Sequence, residues 1–115
     1  MFKLKSIIAA FMFIVIGVSQ SLAGTFDGTW VGVGTNNFGV SYDETIIIQS
    51  SGSSISGSYE STQSNGPVKI SGSVTGGNTI TITVFGNGTA ELFMTFKGDT
   101  MSYTWEWGTG ELSRK

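Results

Sequence analysis

The sequence predicts an all-β domain in which eight short antiparallel strands follow one another as an up-and-down meander and close into a barrel. Two observations predict it. After residue 23, apolar and polar residues alternate with a period of two, and helix signals are absent. Gly, Ser, Asn and Asp interrupt this alternation at short intervals, as turns between strands do. A two-sheet sandwich is the architecture that this pattern leaves open as an alternative.

The first 23 residues are typical of a secretory signal peptide. A short basic region precedes an apolar run over residues 7–18, and Ser21 and Ala23 follow with the spacing that signal peptidase recognises. The run is shorter than the roughly 20 residues that a membrane span needs, although an uncleaved anchor is the alternative. We therefore expect a signal peptide over residues 1–23, a single β-barrel domain over residues 24–115, and an exported protein, periplasmic or secreted.

Each predicted strand is a run of alternating residues between turn-forming residues. In chain order the strands are 29–34, 44–50, 53–60, 67–75, 79–85, 89–97, 100–107 and 110–115. The dipeptides at 51–52, 98–99 and 108–109 predict two-residue hairpin turns, and the glycine-rich segments 76–78 and 86–88 predict three-residue loops. In the registers that these turns set, apolar residues face apolar residues on one side of each hairpin, which supports the assignment.

The apolar side of these strands is predicted to fill the barrel. It comprises Trp30, Ile46, Ile48, Ile55, Tyr59, Val68, Ile70, Val74, Ile80, Ile82, Val84, Leu92, Met94, Phe96, Met101, Tyr103, Trp105, Trp107 and Leu112. Gly32, Gly57 and Gly72 also fall at inward positions, where they relieve crowding or let the strands bend. Eight strands enclose an interior just wide enough for side chains, so we expect a nearly filled barrel with at most a shallow apolar mouth.

Composition narrows the class of protein. Residues 24–115 contain four basic and eight acidic residues, a net charge of −4, which argues against a nucleic-acid partner. The chain has no cysteine, so no disulfide can stabilise this small exported domain. Packing and a fully paired backbone must do so instead, and a closed sheet leaves no unpaired edge strand.

Residues at the two ends of the domain are predicted to meet where the barrel closes. Gly28-Thr29-Trp30 opens the first strand, and Arg114 lies near the end of the last. Antiparallel pairing of these strands would bring the Arg114 guanidinium over the Trp30 ring as a cation–π contact. This G-x-W start with a terminal Arg resembles the calycin barrels, which include lipocalins, fatty-acid-binding proteins and avidins. The resemblance implies the barrel topology.

A second stretch, SGSYES at residues 56–61, is similar to the streptavidin-type avidins. In those proteins the corresponding strand supplies a Tyr and a Ser to the ureido group of biotin, and the matching positions here are Tyr59 and Ser61. The Asn that avidins place two residues after the Trp is Gly32 in this chain. Their mid-chain W-x-x-x-W pair and late Asp have no counterpart. The resemblance therefore implies a barrel and does not imply biotin binding.

The residue types present exclude several kinds of catalysis. Without His or Cys, the chain cannot form a Ser-His-Asp triad, a thiol nucleophile or a His-containing metal site. A pair of carboxylates, as in glycoside hydrolysis, needs a cleft in which one of them is desolvated. In the predicted registers every mid-strand acid points out of the barrel. We therefore expect no enzymatic activity and no cofactor.

Three acids form the candidate metal site that the registers predict. Glu91 lies opposite Glu106, and Glu106 lies opposite Glu111, on the outer face of neighbouring strands. Like charges that face each other directly are destabilising. Without any function, these three neighbouring acids would be explained by screening of their charges in solvent or by a different strand register. With a function, they would form a weak Ca²⁺-type oxygen site or an acidic docking surface. Exposed apolar residues such as Val33 and Phe93 leave a homo-oligomer contact open.

These observations predict an exported, non-enzymatic β-barrel that acts as a binding or interaction module, with a small apolar ligand at one barrel mouth. The connection after the first strand, the loop 62–66 and the turns at 86–88 and 108–109 would lie at the same end. The aromatic residues near that end are the candidate ligand-binding residues: Phe38, Tyr42, Tyr59, Phe85 and Trp107. The alternative is an exported protein-binding inhibitor or adhesin-like surface protein, whose partner is another exported protein.

Overall fold

The computed structural model describes residues 25–115, so the predicted signal peptide lies outside the described residues. The eight strands are β1 (Gly28–Asn36), β2 (Ser41–Ser51), β3 (Ser54–Ser61), β4 (Val68–Val74), β5 (Thr79–Phe85), β6 (Thr89–Lys97), β7 (Thr100–Trp105) and β8 (Gly108–Arg114). Within the described part of the chain, no helix has the length and apolar character to cross a membrane.

The strands close into one barrel in sequence order, and every neighbouring pair is antiparallel. β1 pairs with both β2 and β8, so the sheet has no free edge. The predicted meander and closed barrel are therefore confirmed, and the sandwich alternative is wrong. Because the strands alternate in direction, the connections at 37–40, 62–67, 86–88 and 106–107 lie at one end of the barrel, here called the open end. The other end is called the closed end.

Three of the predicted turns set the observed registers. The β4–β5 connection places Val74 opposite Ile80, and the β5–β6 connection places Ile82 opposite Leu92. The Gly98-Asp99 turn places Phe96 opposite Met101. The structure confirms these three registers. They could be predicted because, at each connection, the glycine-containing turn and the apolar alternation require the same pairing.

The predicted register between β2 and β3 is wrong by two residues. The turn is formed by Gly52 and Ser53, so that Ser51 faces Ser54 and Ile48 faces Gly57 rather than Ile55. Gly52 adopts a φ of +62°, a left-handed conformation that suits glycine as the first turn residue. An even shift keeps each side chain on its face, so Ile46 and Ile48 of β2 remain buried.

The predicted register between β7 and β8 is wrong by four residues. Glu106 and Trp107 form the turn, and Gly108 is the first residue of β8, opposite Trp105. The reason is a close approach to β1: a Cβ on Gly108 would lie 2.2 Å from the backbone oxygen of Thr35. Gly108 therefore serves strand packing and not the turn.

This correction separates Glu111 from the other two acids of the predicted metal site, whereas Glu91 and Glu106 line one surface pocket. Glu106 lies in the turn, Glu111 faces Ser102 on β7 and Val33 on β1, and Glu91 faces Thr83 on β5. The predicted opposition of Glu106 and Glu111 is wrong. Residues 25–115 contain no group of three or more acidic side chains placed to hold a metal ion.

The closed end of the barrel is packed with aromatic side chains. Phe26 and Trp30 are fully buried, and each ring meets Phe96 edge to face, with centroids 5.0 and 5.1 Å apart. The Trp30 indole donates a hydrogen bond to the Phe26 carbonyl at 3.0 Å. The Arg114 guanidinium carbon lies 4.5 Å from the centre of the Trp30 ring, so the contact expected at the barrel closure is present. Sequence analysis did not place Phe26 in the core.

Three inward glycines let neighbouring strands approach closely. A Cβ on Gly32, Gly57 or Gly72 would lie 2.0, 1.8 or 2.0 Å from a backbone oxygen of the adjacent strand, far inside contact distance. The predicted role of these glycines in relieving crowding is confirmed. They allow a small barrel to close around large aliphatic and aromatic side chains.

Candidate functional site: a cavity at the open end

The connections at the open end are held in place by hydrogen bonds between them. The Asn36 side-chain oxygen accepts the backbone N–H groups of Phe38 and Val40, at 2.9 and 3.0 Å, and thereby fixes the β1–β2 loop. The Asn37 N–H donates to the Trp107 carbonyl at 2.7 Å, which joins this loop to the β7–β8 turn. The two aromatic residues Phe38 and Trp107 are thus positioned on one rim.

A cavity of about 660 Å³ opens between these connections and extends into the barrel. This volume lies within the range of roughly 300–1,000 Å³ that is usual for small-molecule sites. All five predicted ligand-binding residues line it: Phe38, Tyr42, Tyr59, Phe85 and Trp107. The nearly filled interior expected from the sequence holds for the closed end, but the cavity at the open end is deeper than a shallow mouth.

The five aromatic residues line the cavity at different depths. Phe38 is 82% exposed at the rim, and Phe85 and Trp107 are about half exposed. Tyr59 is partly buried, and Tyr42 is buried. Tyr42 belongs to β2 and not, as predicted, to the preceding loop. Trp107, predicted to face inward from a strand, lies in the β7–β8 turn, where it is exposed.

An acid lies inside the barrel below the cavity, where none was expected. Glu44 of β2 is 3% exposed and is the only buried charged side chain among residues 25–115. The prediction that every mid-strand acid points outward is therefore wrong for Glu44. It alternates with Thr45 and shares the inward face with Ile46 and Ile48, so the strand pattern itself places it inside.

Two tyrosine hydroxyls donate to the same carboxylate oxygen of Glu44. Tyr59 on β3 and Tyr103 on β7 reach Oε1 at 2.6 and 2.5 Å, distances typical of hydrogen bonds to a charged oxygen. Both tyrosines line the cavity. The cluster therefore joins three strands of the barrel and connects the buried acid to the cavity wall.

Burial dominates the protonation behaviour of this cluster. It raises the pKa of Glu44, and the hydrogen bonds from Tyr103 and Tyr59 offset part of that rise. The pKa values of Tyr59 and Tyr103 are raised by burial first and then by their hydrogen bonds to Glu44 and its negative charge. Burial, followed by the charge of Glu44, also raises the pKa of Tyr42. The three tyrosines consequently stay neutral over the whole physiological pH range.

Two buried polar atoms of the site have no hydrogen-bond partner among the described residues. They are Oε2 of Glu44, an acceptor when the carboxylate is ionised, and Nε1 of Trp105, a donor. Trp105 lines the cavity. Buried polar groups in folded proteins are almost always paired, so Nε1 of Trp105 marks a place where a ligand in the cavity can accept a hydrogen bond, whereas Oε2 of Glu44 lies beside Gly34 and outside the lining.

Glycines on β1 and β8 make room for the cluster. A Cβ on Gly34 would lie 2.5 Å from the Tyr42 ring and 2.7 Å from Oε2 of Glu44. A Cβ on Gly110, which pairs with Gly34, would lie 2.1 Å from the Tyr103 ring. The absence of side chains at these two positions lets a carboxylate and two aromatic rings share one level of a narrow barrel.

Two residues of this site were predicted to be core residues, and one residue was not predicted to belong to any site. Tyr103 and Trp105 were predicted to be inward residues, and both line the cavity instead of packing only against other side chains. Glu44 was not proposed at all, although its place on the inward face of β2 was the signal that could have identified it. Tyr59 and Ser61, the positions implied by the avidin resemblance, both line the cavity.

Comparisons with known proteins identify the fold and no family. No protein-family model matches the chain, and no curated protein does. Among solved structures, the chain is similar to a redesigned β-barrel, b11L5F_LGL, with a TM-score of 0.69 and 19% identity over 83% of this chain and 96% of that one. It is also similar to EF1p2_mFAP2b bound to DFHBI, with a TM-score of 0.63 and 18% identity over 84% and 100% of the two chains.

A third similar structure is a de novo designed fluorescence-activating β-barrel. Its TM-score is 0.60, with 19% identity over 83% of this chain and 98% of that one. At these identities the likeness concerns the fold alone. It places the protein in the class of small closed barrels with eight antiparallel strands.

Proposed function

We propose that this protein is an exported, non-enzymatic binding barrel of the calycin type, which holds a small, largely apolar ligand in the cavity at its open end. The observation that carries the proposal is the cavity itself. It combines about 660 Å³ of space with an aromatic lining and one unpartnered buried polar atom in that lining, Nε1 of Trp105. A mostly apolar pocket with a few placed polar groups is the usual form of a small-molecule site.

The asymmetry of the barrel supports this proposal. The closed end is filled by Phe26, Trp30 and Phe96, so the barrel there has a solid core. At the open end, the hydrogen-bonded connections hold Phe38 and Trp107 at the entrance. The similar barrel EF1p2_mFAP2b is described as bound to DFHBI, which supports small-molecule binding in a barrel of this size.

The absence of enzymatic activity and the export of the protein are also part of the proposal. Carboxylate-pair catalysis requires two acids in one cleft, one of them desolvated. Glu91 and Glu106 line one surface pocket, but both are exposed, and the single buried acid of the described residues is Glu44. The apolar run and small residues within positions 1–23 support export through a signal peptide. Mass spectrometry of protein recovered from the periplasm or the medium tests export, and an N-terminus at Gly24 is the expected result.

Binding can be tested with N-phenyl-1-naphthylamine, a neutral apolar probe whose fluorescence rises in an apolar environment. We expect saturable binding at one site per chain. Phe38→Ala should weaken the affinity because it removes a rim ring. Phe93→Ala is the matched control, since Phe93 is also an exposed phenylalanine but does not line this cavity.

Two results would contradict the proposal. The first is no saturable increase in fluorescence with folded wild-type protein. The second is an equal loss of affinity in Phe38→Ala and Phe93→Ala, which would locate the probe on the general surface. Either result would favour the alternative function, in which the exposed rim residues contact another exported protein.

A further inference from the structure

We propose that the natural ligand of the cavity is a small amphipathic organic cation, whose protonated amine lies against the hydroxyl groups of Tyr59 and Tyr103, one hydrogen bond away from the Glu44 carboxylate behind them, while its apolar body occupies the aromatic part of the cavity. The inference deepens the proposed function and rests on it. It is carried by the position of an unpaired buried acid, by the direction of the hydrogen bonds around it, and by the aromatic lining above it.

The carboxylate of Glu44 has no cationic partner among the described residues. The ion pair in this part of the chain joins Arg114 to Asp99 at the closed end. Lys69 lies on the outer face, with its ammonium 6.0 Å from the centre of the Phe85 ring. A buried carboxylate without a counter-charge is costly. A cation in the cavity beside Tyr59 and Tyr103 would lie close behind the hydrogen bonds to that carboxylate and would offset part of the cost.

The hydrogen bonds around Glu44 favour a ligand that donates. Each tyrosine hydroxyl has one hydrogen, and Tyr59 and Tyr103 both give theirs to Oε1. Their oxygens can therefore only accept hydrogen bonds from a ligand. Oε2 of Glu44 is buried beside Gly34 of β1, outside the lining of the cavity, so a ligand N–H group meets the tyrosine oxygens and not the carboxylate itself. A protonated amine offers up to three such donors.

The aromatic part of the cavity suits the rest of such a ligand. Phe38, Trp105 and Trp107 line it and present faces that attract a cation as well as apolar surface. The net charge of −4 over residues 24–115 also raises the local concentration of cations near the protein. An anionic ligand would be disfavoured by each of these features.

Binding of a cation should depend on pH through Glu44. The titratable groups that face it are Tyr42 on β2, Tyr59 on β3 and Tyr103 on β7, while β1 contributes Gly34 and β8 contributes Gly110. All three tyrosines have raised pKa values and stay neutral. Protonation of Glu44 therefore controls the charge of the site, and affinity for the amine falls as the pH falls through the raised pKa of Glu44.

Three indole compounds of similar size and different charge test the inference: tryptamine, tryptophol and indole-3-acetate. Calorimetric titration at pH 8 keeps the amine protonated. Tryptamine should bind tighter than tryptophol by roughly tenfold to a hundredfold, the range that a hydrogen bond to a charged group supplies. Indole-3-acetate should bind most weakly. The preference for tryptamine over tryptophol should shrink when the titrations are repeated at pH 4.5, the ordinary pKa of a glutamate, which lies below the raised pKa of Glu44.

Variants assign the preference to Glu44. In Glu44→Gln, the ratio of the tryptamine affinity to the tryptophol affinity should fall to about one, whatever the affinity for tryptophol itself. Glu111→Gln is the matched control because it removes one negative charge from the outer face, where Glu111 is exposed. It should keep the preference. Retention of the preference in Glu44→Gln, or its loss in Glu111→Gln, would overturn the assignment.

The wild-type titrations keep this inference separate from the proposed function. Equal affinity for tryptamine and tryptophol at pH 8 would overturn the cation inference and leave a binding cavity in place. No binding of any of the three compounds, together with no binding of N-phenyl-1-naphthylamine, would overturn both. Should Glu44→Gln fail to fold, the wild-type pH dependence decides: a preference that is unchanged between pH 8 and pH 4.5 would contradict the role of Glu44.

Discussion

Glu44 illustrates how much one inward position can change the chemistry of a β-barrel. Its neighbours on the same face of β2, Ile46 and Ile48, are core residues. From β3 and β7, the hydroxyl groups of Tyr59 and Tyr103 converge on its Oε1. A position that would otherwise hold another large aliphatic side chain thus becomes a buried polar position behind the tyrosines that line the cavity.

Stability should depend on pH through this residue. Because burial raises the pKa of Glu44 above its ordinary value of 4.5, the folded protein keeps a proton that the unfolded chain has already lost. The free energy of unfolding therefore falls as the pH rises from about 4.5 to the raised pKa, and stays reduced above it. Glu44→Gln should lack this decrease. Urea denaturation of both proteins between about pH 4.5 and pH 8 measures the difference.

The raised pKa of Glu44 is tested by how the difference in the free energy of unfolding between Glu44→Gln and the wild type changes with pH. Relative to the wild type, Glu44→Gln should gain stability as the pH rises. A difference between the two proteins that is constant across the range would contradict a raised pKa, and a difference of opposite sign would indicate a lowered one. Glu111→Gln provides the control for the removal of an exposed carboxylate.

The two tyrosine hydroxyls should each stabilise the ionised form of Glu44. Tyr103→Phe removes one of two charge-assisted hydrogen bonds, so we expect a loss of about 1.5–3 kcal/mol in the free energy of unfolding and a further rise in the pKa of Glu44. Denaturation and ¹³C NMR of the Glu44 carboxyl measure the two effects. Tyr42→Phe, which leaves both hydrogen bonds to Glu44 in place, is the matched control. An unchanged pKa in Tyr103→Phe would contradict the account.

At the scale of single residues, the sequence predicts which side of the barrel wall a side chain occupies better than it predicts what that side chain does there. The period of two places Tyr59, Tyr103 and Trp105 on the inward side, and the structure has them there. It equally places Glu44 inside, although a charged side chain is usually found at the surface. Nothing in the alternation shows that three tyrosines and one acid meet at the same level, since this depends on the stagger between strands that are distant in sequence.

At the scale of the strands, glycines determine how closely neighbours pack. A Cβ on Gly32 of β1 would lie 2.0 Å from the backbone oxygen of Glu111 on β8. Gly32→Ala should therefore push the two closing strands apart and cost more than about 2 kcal/mol. Gly77→Ala, in a loop where a Cβ would meet nothing within 4 Å, should change stability by less than about 1 kcal/mol. Equal stability of the two variants in thermal denaturation would contradict the role of Gly32 in the close packing of β1 and β8.

The last strand should hold the closed end through Arg114. Its guanidinium stacks on Trp30 and donates to the backbone carbonyls of Asp27 and Thr25. Arg114→Ala should cost about 2 kcal/mol or more because these partners lie in a partly buried place.

Asp99→Ala is the control for the exposed ion pair of Arg114. Asp99 is 84% exposed in this pair, so its loss should cost less than about 1 kcal/mol. Denaturation curves of the two variants compare the contributions. A larger loss in Asp99→Ala than in Arg114→Ala would show that the exposed ion pair, and not the contact with Trp30 and the chain start, holds this end.

Strands were easier to predict than the turns that join them. Where glycine opens a turn, as at Gly98, the predicted register is confirmed. The same rule applied to Gly52 gives the observed β2–β3 turn. Gly108 could not be interpreted in this way, because its role is to let β8 approach β1, and a close approach between strands is not visible in a local pattern.

At the scale of the whole molecule, the barrel is asymmetric along its axis. The closed end combines Phe26, Trp30, Phe96 and Arg114 in a packed cap, and the open end carries a cavity with a buried acid. The fold class could be predicted because closure follows from the alternation, the turns and the pairing of the first and last strands. The depth of the cavity could not, because it depends on how far the connections at 37–40 and 62–67 stand away from the barrel axis.

The three tryptophans offer the most direct test of this asymmetry, since their indole N–H groups give separate ¹H–¹⁵N NMR signals. Trp105 and Trp107 line the cavity, whereas the Trp30 indole is bonded to Phe26 at the closed end. On titration with tryptophol, the account predicts that the signals of Trp105 and Trp107 shift with one common saturation curve while that of Trp30 stays in place. A shift of Trp30 as large as that of Trp105, or no shift of Trp105 at saturating tryptophol, would contradict it.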